Sequence, residues 1–150
     1  KEMNSLLRRT ISYHDYKEDF YHAFLAGIFT GAGYMVDSNK EHGEGRSDVV
    51  VYDFINARVA IFEAKYTKVL DNLENECDIA LQQINDRMYA KEYEDDYDEI
   101  LCYGISFFKK RCMVRKKIIA PFNTFPYCEV EGDTIDLYYL KCYTLCKITH

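Results

Sequence analysis

The sequence predicts an α/β domain with a central mixed β-sheet flanked by helices, in the order α-β-β-β-α-β-β. Three observations predict it. Val- and Ile-rich runs of strand length recur at residues 47–54, 58–65, "EILCYGISFF" and "CMVRKKIIA". Two stretches with apolar residues at helical spacing precede and divide these strands. The chain of 150 residues, 48% apolar and 15% aromatic with only 2 prolines, suffices for one domain with a proper core.

The elements follow in order. Asp15 begins the first helical pattern, which places Tyr21, Phe24, Leu25 and Ile28 on one face and stops at Gly31 and Gly33. "GYMVDSN" reads as a short strand, and the next two strands join at a turn around Ile55–Asn56. From about residue 72 to 91 a second amphipathic helix carries Leu73, Cys77, Ala80, Leu81, Ile84 and Met88. The last two strands meet across Lys109–Lys110–Arg111. Pro121 and Pro126 loosen the chain beyond them, and "TIDLYYLKCYTLCKI" suits strand and helix alike. No repeat, low-complexity tract or linker divides the chain, so residues 1–150 read as a single domain.

Composition excludes several classes. No stretch approaches the roughly 20 apolar residues that span a bilayer, and "KEMNSLLRRTISYHD" lacks the apolar centre of a secretory signal. With no leading Met, the chain reads as an excised domain or a processed part of a larger protein. The 6 cysteines sit mostly in apolar patterns without a CxxC pair, as reduced packing residues in a cytoplasmic protein do. A net charge of -6 speaks against indiscriminate nucleic-acid binding. The charge is uneven: acids crowd "KEYEDDYDE", and bases crowd residues 109–117. The bases form either a phosphate-facing stripe or a lysine-guarded edge strand.

"GRSDVVVYDFINARVAIFEAK" puts Asp48, Glu63 and Lys65 into otherwise core-like strands. A hairpin turning at Ile55–Asn56 sets Asp48 directly opposite Glu63, with Cβ atoms roughly 4.5–5.5 Å apart. Lys65 shares that face. Two carboxylates so close repel unless a proton or cation joins them, and Mg²⁺ or Mn²⁺ would do so while keeping waters and a phosphate in its shell. The bland alternative is an Asp/Glu–Lys ion-pair cluster at a sheet edge. A proton-sharing acid dyad fits poorly beside a lysine.

At these residues the sequence resembles the PD-(D/E)XK nuclease superfamily, whose hallmark is an acid on one strand and acid–x–lysine on the next. Here these are "SD" and "EAK", with Ser47 where the superfamily has proline. "FYHAFLAGIFTGAGYMVDSNKEHGEGRSDVVV", "FEAKY", "ALQQI" and "YGISFFKKRCMV" look like the branch of predicted nucleases found beside AAA-type ATPase domains in bacteria. The resemblance implies a restriction-endonuclease-like core over about residues 13–118, with residues 119–150 unmatched. It implies metal ligation by Asp48, Glu63 and the backbone carbonyl of Ala64, with Lys65 as the catalytic lysine. Glu18 is the candidate for the glutamate many members carry on the first helix, although Asp15–x–x–Glu18 is also a capping-box spacing. Gln83 matches a polar helix residue near the metal in related nucleases, and Gln82 is the weaker of the pair.

Nucleic-acid contacts are expected from Arg46, Arg87 and the turn Lys109, Lys110 and Arg111. "NKEHGEGRSD" reads as a site-lining loop in which Gly43 and Gly45 admit close approach and Glu41 could complete a metal shell. His14, His22 and His42 have no partner that the sequence identifies. The function expected is Mg²⁺- or Mn²⁺-dependent hydrolysis of phosphodiester bonds in DNA. The alternative is a weak or inactive nuclease-like binding or regulatory module of an ATPase-linked protein. Expected partners are DNA, an AAA-type ATPase domain in the same protein and a second copy of the chain, with no membrane.

Overall fold

The computed structural model describes residues 2–10, 17–42 and 45–119. The readings made for Asp15, Gly43 and everything from Pro121 to the C-terminus fall outside them. Helices α1 (Glu2–Thr10) and α2 (Glu18–Gly31) come first. Strands β1 (Met35–His42), β2 (Gly45–Asp53) and β3 (Arg58–Tyr66) follow, then α3 (Leu73–Asp86), β4 (Glu99–Phe108) and β5 (Arg111–Ile119). The sheet runs β1-β2-β3-β4-β5. Neighbours are antiparallel except β3 and β4, which are parallel. A parallel pair needs a long crossover, and α3 supplies it. The mixed sheet expected from the sequence is therefore present.

Two layers cover the sheet. Leu7, Tyr21, Leu25 and Phe29 of α1 and α2 pack on Val49, Val51, Phe62, Ala64, Ile105 and Phe107. On the other face Ile84, Tyr89 and Tyr93 pack on Val50, Tyr52, Val59, Ile61, Ile100 and Cys102. β4, buried along nearly its whole length, is the continuous apolar run that a strand covered on both faces requires. Cys77 and Cys102 are buried free thiols, the packing role expected of them, and burial pushes both thiols up, Cys77 to about 11 and Cys102 to about 12.

Three expectations need correction. The segment before Asp15 was given no element, yet α1 forms there and its Asn4 caps the sheet edge. The Cys112 N–H donates to Asn4 Oδ1 at 2.7 Å, and Asn4 Nδ2 donates to the Cys112 carbonyl at 3.5 Å. The second helix ends at Asp86, not near residue 91. Met88 takes a left-handed φ of 51° and stays 52% exposed, and the chain then tightens into a 3₁₀ turn, Tyr89–Tyr93, that buries three residues on the sheet. The apolar spacing of 72–91 thus spans two elements rather than one. Finally, "NKEHGEGRSD" is mostly paired strand, since Lys40 pairs with Ser47, Glu41 with Arg46 and His42 with Gly45.

The basic stripe divides. Arg115 of β5 is engaged with Glu74 and Asp78 of α3, Asp78 at 2.6 Å. These pairs are exposed, so Arg115→Ala should change stability by less than about 1 kcal/mol in a thermal melt. Lys109 and Lys110 form the β4–β5 turn, with Lys109 in a left-handed conformation at φ 51°.

Candidate active site

The β2–β3 ladder pairs Asp53 with Arg58 and continues to Val49 with Phe62. This is the register that a turn at Ile55–Asn56 demands, and one further step sets Asp48 across from Glu63. The ladder stops short of that step. Asp48 Oδ2 instead accepts the Ala64 N–H at 2.7 Å. On its other flank the β1–β2 ladder pairs Ser38 with Val49 and then Lys40 with Ser47, skipping Asn39, whose φ is 57°. β2 therefore opens on both sides at Asp48, and its carboxylate reaches across the strand end instead of projecting into one layer.

Glu63 is 1% exposed. Its Oε1 accepts a hydrogen bond from Lys65 Nζ at 3.0 Å and a short one from Gln83 Nε2 on α3. Its Oε2 is buried without a hydrogen-bond partner among the described residues. Lys65 Nζ also lies 3.9 Å from Glu18 Oε1, while Glu18 Oε2 accepts the Tyr66 N–H at 3.3 Å. Glu18 thus faces the sheet, and the helix cap at Lys17 is made without a side-chain bond. Asp48, Glu63, Ala64, Lys65, Glu18 and Gln83 all meet at the carboxyl end of β3. Gln82 points away, donating to Asp86 at 2.7 Å.

His22 belongs to the same cluster, and the sequence reading missed it. Its Nε2 lies 3.0 Å from Asp48 Oδ2, at ion-pair distance but without the alignment of a ring N–H hydrogen bond. One signal was available: His22 stands four residues after Glu18, on the same helix face. What no sequence signal supplies is the reach of Asp48 out of its strand to meet α2.

The electrostatics follow from burial and crowding. Burial first, then the Asp48 charge, raises Glu63 from 4.5 to about 7, and Lys65 only partly offsets this. Burial alone would lower Lys65, but Glu63, Glu18 and Asp48 outweigh it and hold the side chain as an ammonium. Burial likewise pulls His22 down, and Asp48 chiefly reverses this to a net rise.

The donor set fits a divalent cation. Glu63 feels the negative charge of Asp48 and keeps an orphaned buried oxygen, which costs free energy until a proton or cation meets it. Among the described residues no three His, Cys, Asp or Glu side chains form a complete metal cage. Hard cations that keep several waters need no such cage.

The remaining expected contacts lie at the same end of the sheet as this cluster. The Tyr89 hydroxyl donates to the Arg46 carbonyl at 2.8 Å, and a Cβ on Gly45 would fall 2.6 Å from Arg87 Nη1. Both arginines therefore flank the entry to β2, just before Asp48, with exposed side chains. Lys109, Lys110 and Arg111 stand at the same end of the sheet, since the turn follows the Phe107 carbonyl that accepts the Thr67 N–H at 2.8 Å. An open groove of about 520 Å³ runs along the outward face of α3 and touches the cluster only through Gln83.

Residues 16–117 match the family model of the PD-(D/E)XK nuclease superfamily. No curated protein and no solved structure matches the chain. The match covers about two thirds of the chain and includes every residue of the Asp48–Glu63–Lys65 cluster. By that match and by its mixed, helix-flanked sheet, the chain belongs to the PD-(D/E)XK nuclease superfamily.

Proposed function

We propose that the protein is a Mg²⁺- or Mn²⁺-dependent nuclease that hydrolyses phosphodiester bonds in DNA. The observation that carries this reading is the buried Glu63 carboxylate, one oxygen held by Lys65 and Gln83 and the other orphaned, within the influence of the Asp48 charge. Asp48, Glu63 and the Ala64 carbonyl would hold the ion. When bound, it would polarise the phosphate and lower the pKa of a water, the chemistry that divalent ions supply in phosphoryl hydrolysis.

The chain's own residues do the rest. Lys65, kept protonated by its acids, places a fixed positive charge where negative charge builds on phosphorus. As an ammonium it steers and stabilises rather than taking a proton. Gln83 orients Glu63, and Glu18 orients Lys65 and the Tyr66 amide, so both are positioning residues. His22 buttresses Asp48. Arg46 and Arg87 are the proposed phosphate contacts at the mouth of β2, with Lys109, Lys110 and Arg111 on the opposite flank. The resemblance to the ATPase-linked branch adds an AAA-type ATPase domain as the proposed partner, and the unpaired, packing use of cysteine supports the cytoplasm as the proposed compartment.

Calorimetric titration of Mg²⁺ and Mn²⁺ into wild type and Asp48→Asn tests the site. Binding in the micromolar-to-millimolar range that disappears in the variant is expected. Equal binding in both would remove Asp48 from it. The competing reading, a nuclease-like module that binds without cutting, is favoured by one feature: Lys65 and Gln83 already satisfy one oxygen of Glu63. Lys65→Ala separates the two. A nuclease loses about 10²–10³-fold in turnover with substrate affinity within a few-fold, whereas a binder shows no turnover to lose.

A further inference from the structure

We infer that His22 is a nitrogen ligand of the divalent ion held at Asp48 and Glu63, and that it makes the site favour a first-row transition ion over Mg²⁺. The inference rests on the nuclease reading of that cluster and assigns its metal preference. It gives His22 a part beyond buttressing Asp48.

Two orphaned atoms point to it. Among the described residues, His22 Nε2 and Glu63 Oε2 are the buried side-chain polar atoms without a hydrogen-bond partner. Both belong to one cluster. His22 Nε2 lies 3.0 Å from Asp48 Oδ2, and Glu63 senses the charges of both Asp48 and His22. His22 and Asp48 are each 9% exposed and Glu63 is 1% exposed, so bulk water does little for any of them. An orphaned polar atom costs free energy when buried. A single cation meets both, because an imidazole nitrogen and a carboxylate oxygen are each ligands for it.

The 3.0 Å separation carries the argument further. In a hydrogen bond the ring N–H would point at Asp48 Oδ2, and here it does not. That oxygen already accepts the Ala64 N–H at 2.7 Å. Two ligands about 2.1 Å from one octahedral ion, at right angles to each other, stand about 3.0 Å apart. The ion then lies about 45° off the line joining them, so a ring nitrogen aimed at it is misaligned for its neighbour. His22 and Asp48 thus have the spacing of one edge of such a shell. The described acids and His22 do not close a cage by themselves. Lys65 and Gln83 hold Glu63 through Oε1, which leaves Oε2 for the ion, and waters fill the other positions.

An imidazole in the shell alters which ion is held. Mg²⁺ takes oxygen ligands, whereas nitrogen binding strengthens along the first transition row from Mn²⁺ to Co²⁺. Two carboxylates and a carbonyl separate these ions less than the same set with His22. The ring binds as the neutral imidazole and gives up its proton to solvent.

Two measurements without any substrate test this. Calorimetric titration of wild type with Mg²⁺, Mn²⁺ and Co²⁺ should show affinity rising in that order, by about 10-fold or more overall. His22→Gln should flatten the rise to about 3-fold, with Mg²⁺ affinity changed least. A residue that only holds Asp48 in place would weaken all three ions alike, by about 10–100-fold, and leave their ratios intact. That outcome would overturn the inference. Electron spin-echo spectroscopy of Mn²⁺-loaded wild type gives a second readout that requires no variant to fold. An imidazole ¹⁴N coupling is expected there, and its loss in His22→Gln would exclude the other histidines. A wild-type spectrum without that coupling, or one that His22→Gln leaves unchanged, would also overturn the inference. If wild type binds none of the three ions, the nuclease reading falls with it. If ions bind at Asp48 without nitrogen ligation, only the role of His22 falls.

Discussion

Glu63→Gln is expected to unfold at a higher temperature than wild type above pH 7 and to lose about 10²–10³-fold in cleavage rate. The stability gain follows from the buried carboxylate. Burial and Asp48 raise its folded pKa from 4.5 to about 7, so the folded state holds a proton that the unfolded chain releases at lower pH. Wild-type stability from this group is therefore highest below the ordinary glutamate range. It falls as pH rises through the window from 4.5 to about 7, and the penalty is full above that. Gln carries no charge and shows no such fall.

The upper limit of the gain is about 3 kcal/mol, from 1.36 kcal/mol per pKa unit. Lys65 and Gln83 lose their charged acceptor in the variant, which cuts the net gain to about 1–2 kcal/mol. For a chain of this size that raises Tm by about 2–8 °C. Melts in EDTA at pH 5 and pH 8 check the sign, because the difference between the proteins must be larger at pH 8. Added Mg²⁺ should then narrow the gap, stabilising wild type more than the variant. A variant less stable than wild type at pH 8 would mean that the Lys65 pair outweighs the burial of the charge.

Gly104→Ala should be the most disruptive single methyl in the sheet. Gly104 lies on β4 under α3, and a Cβ there would sit 2.4 Å from the Cys77 carbonyl oxygen and 2.8 Å from the Leu81 nitrogen. Both are helix backbone, so no side chain can swing aside and α3 must lift. Overpacking of this kind costs about 3 kcal/mol, or a fall in Tm of roughly 10 °C. The lift also strains the Cys77 Sγ–H bond to the Gly104 carbonyl, 3.0 Å long, and draws Gln83 away from Glu63. Urea unfolding should show the loss, and a weakened Mg²⁺ affinity in the folded variant would trace it to the site. An Ala variant as stable as wild type would show that α3 does not rest on this glycine as closely as the distances state.

How much of this could be read from the residues is a question of range. The β2–β3 hairpin was legible because its strands are continuous Val- and Ile-rich runs joined by a short turn, so one local feature determines the register for every pair. That register brings Asp48 toward Glu63 and puts Lys65 beside it. The face of α2 carrying Glu18 was legible from helical spacing, although the carboxylate's acceptance of the Tyr66 N–H was not. Met88 misled because spacing cannot distinguish a continuing helix from a left-handed break followed by a 3₁₀ turn. α1 was missed because nine mostly polar residues carry few apolar positions, and Leu7 finds its burial only on the sheet.

The sequence by itself determined the order of the elements from α2 to β5, the β2–β3 hairpin register and the placing of one acid on β2 with the second acid and the lysine on β3. These depend on contacts near in the chain and on the twofold period of a strand. Only the tertiary structure decided what surrounds them. It brought His22 to Asp48, Gln83 to Glu63, α3 down onto Gly104, and Arg8 and Arg9 beside Lys109–Lys110. Those juxtapositions join residues tens of positions apart, and they exist because burying two apolar helix layers on one sheet sets which side chains remain at its edge.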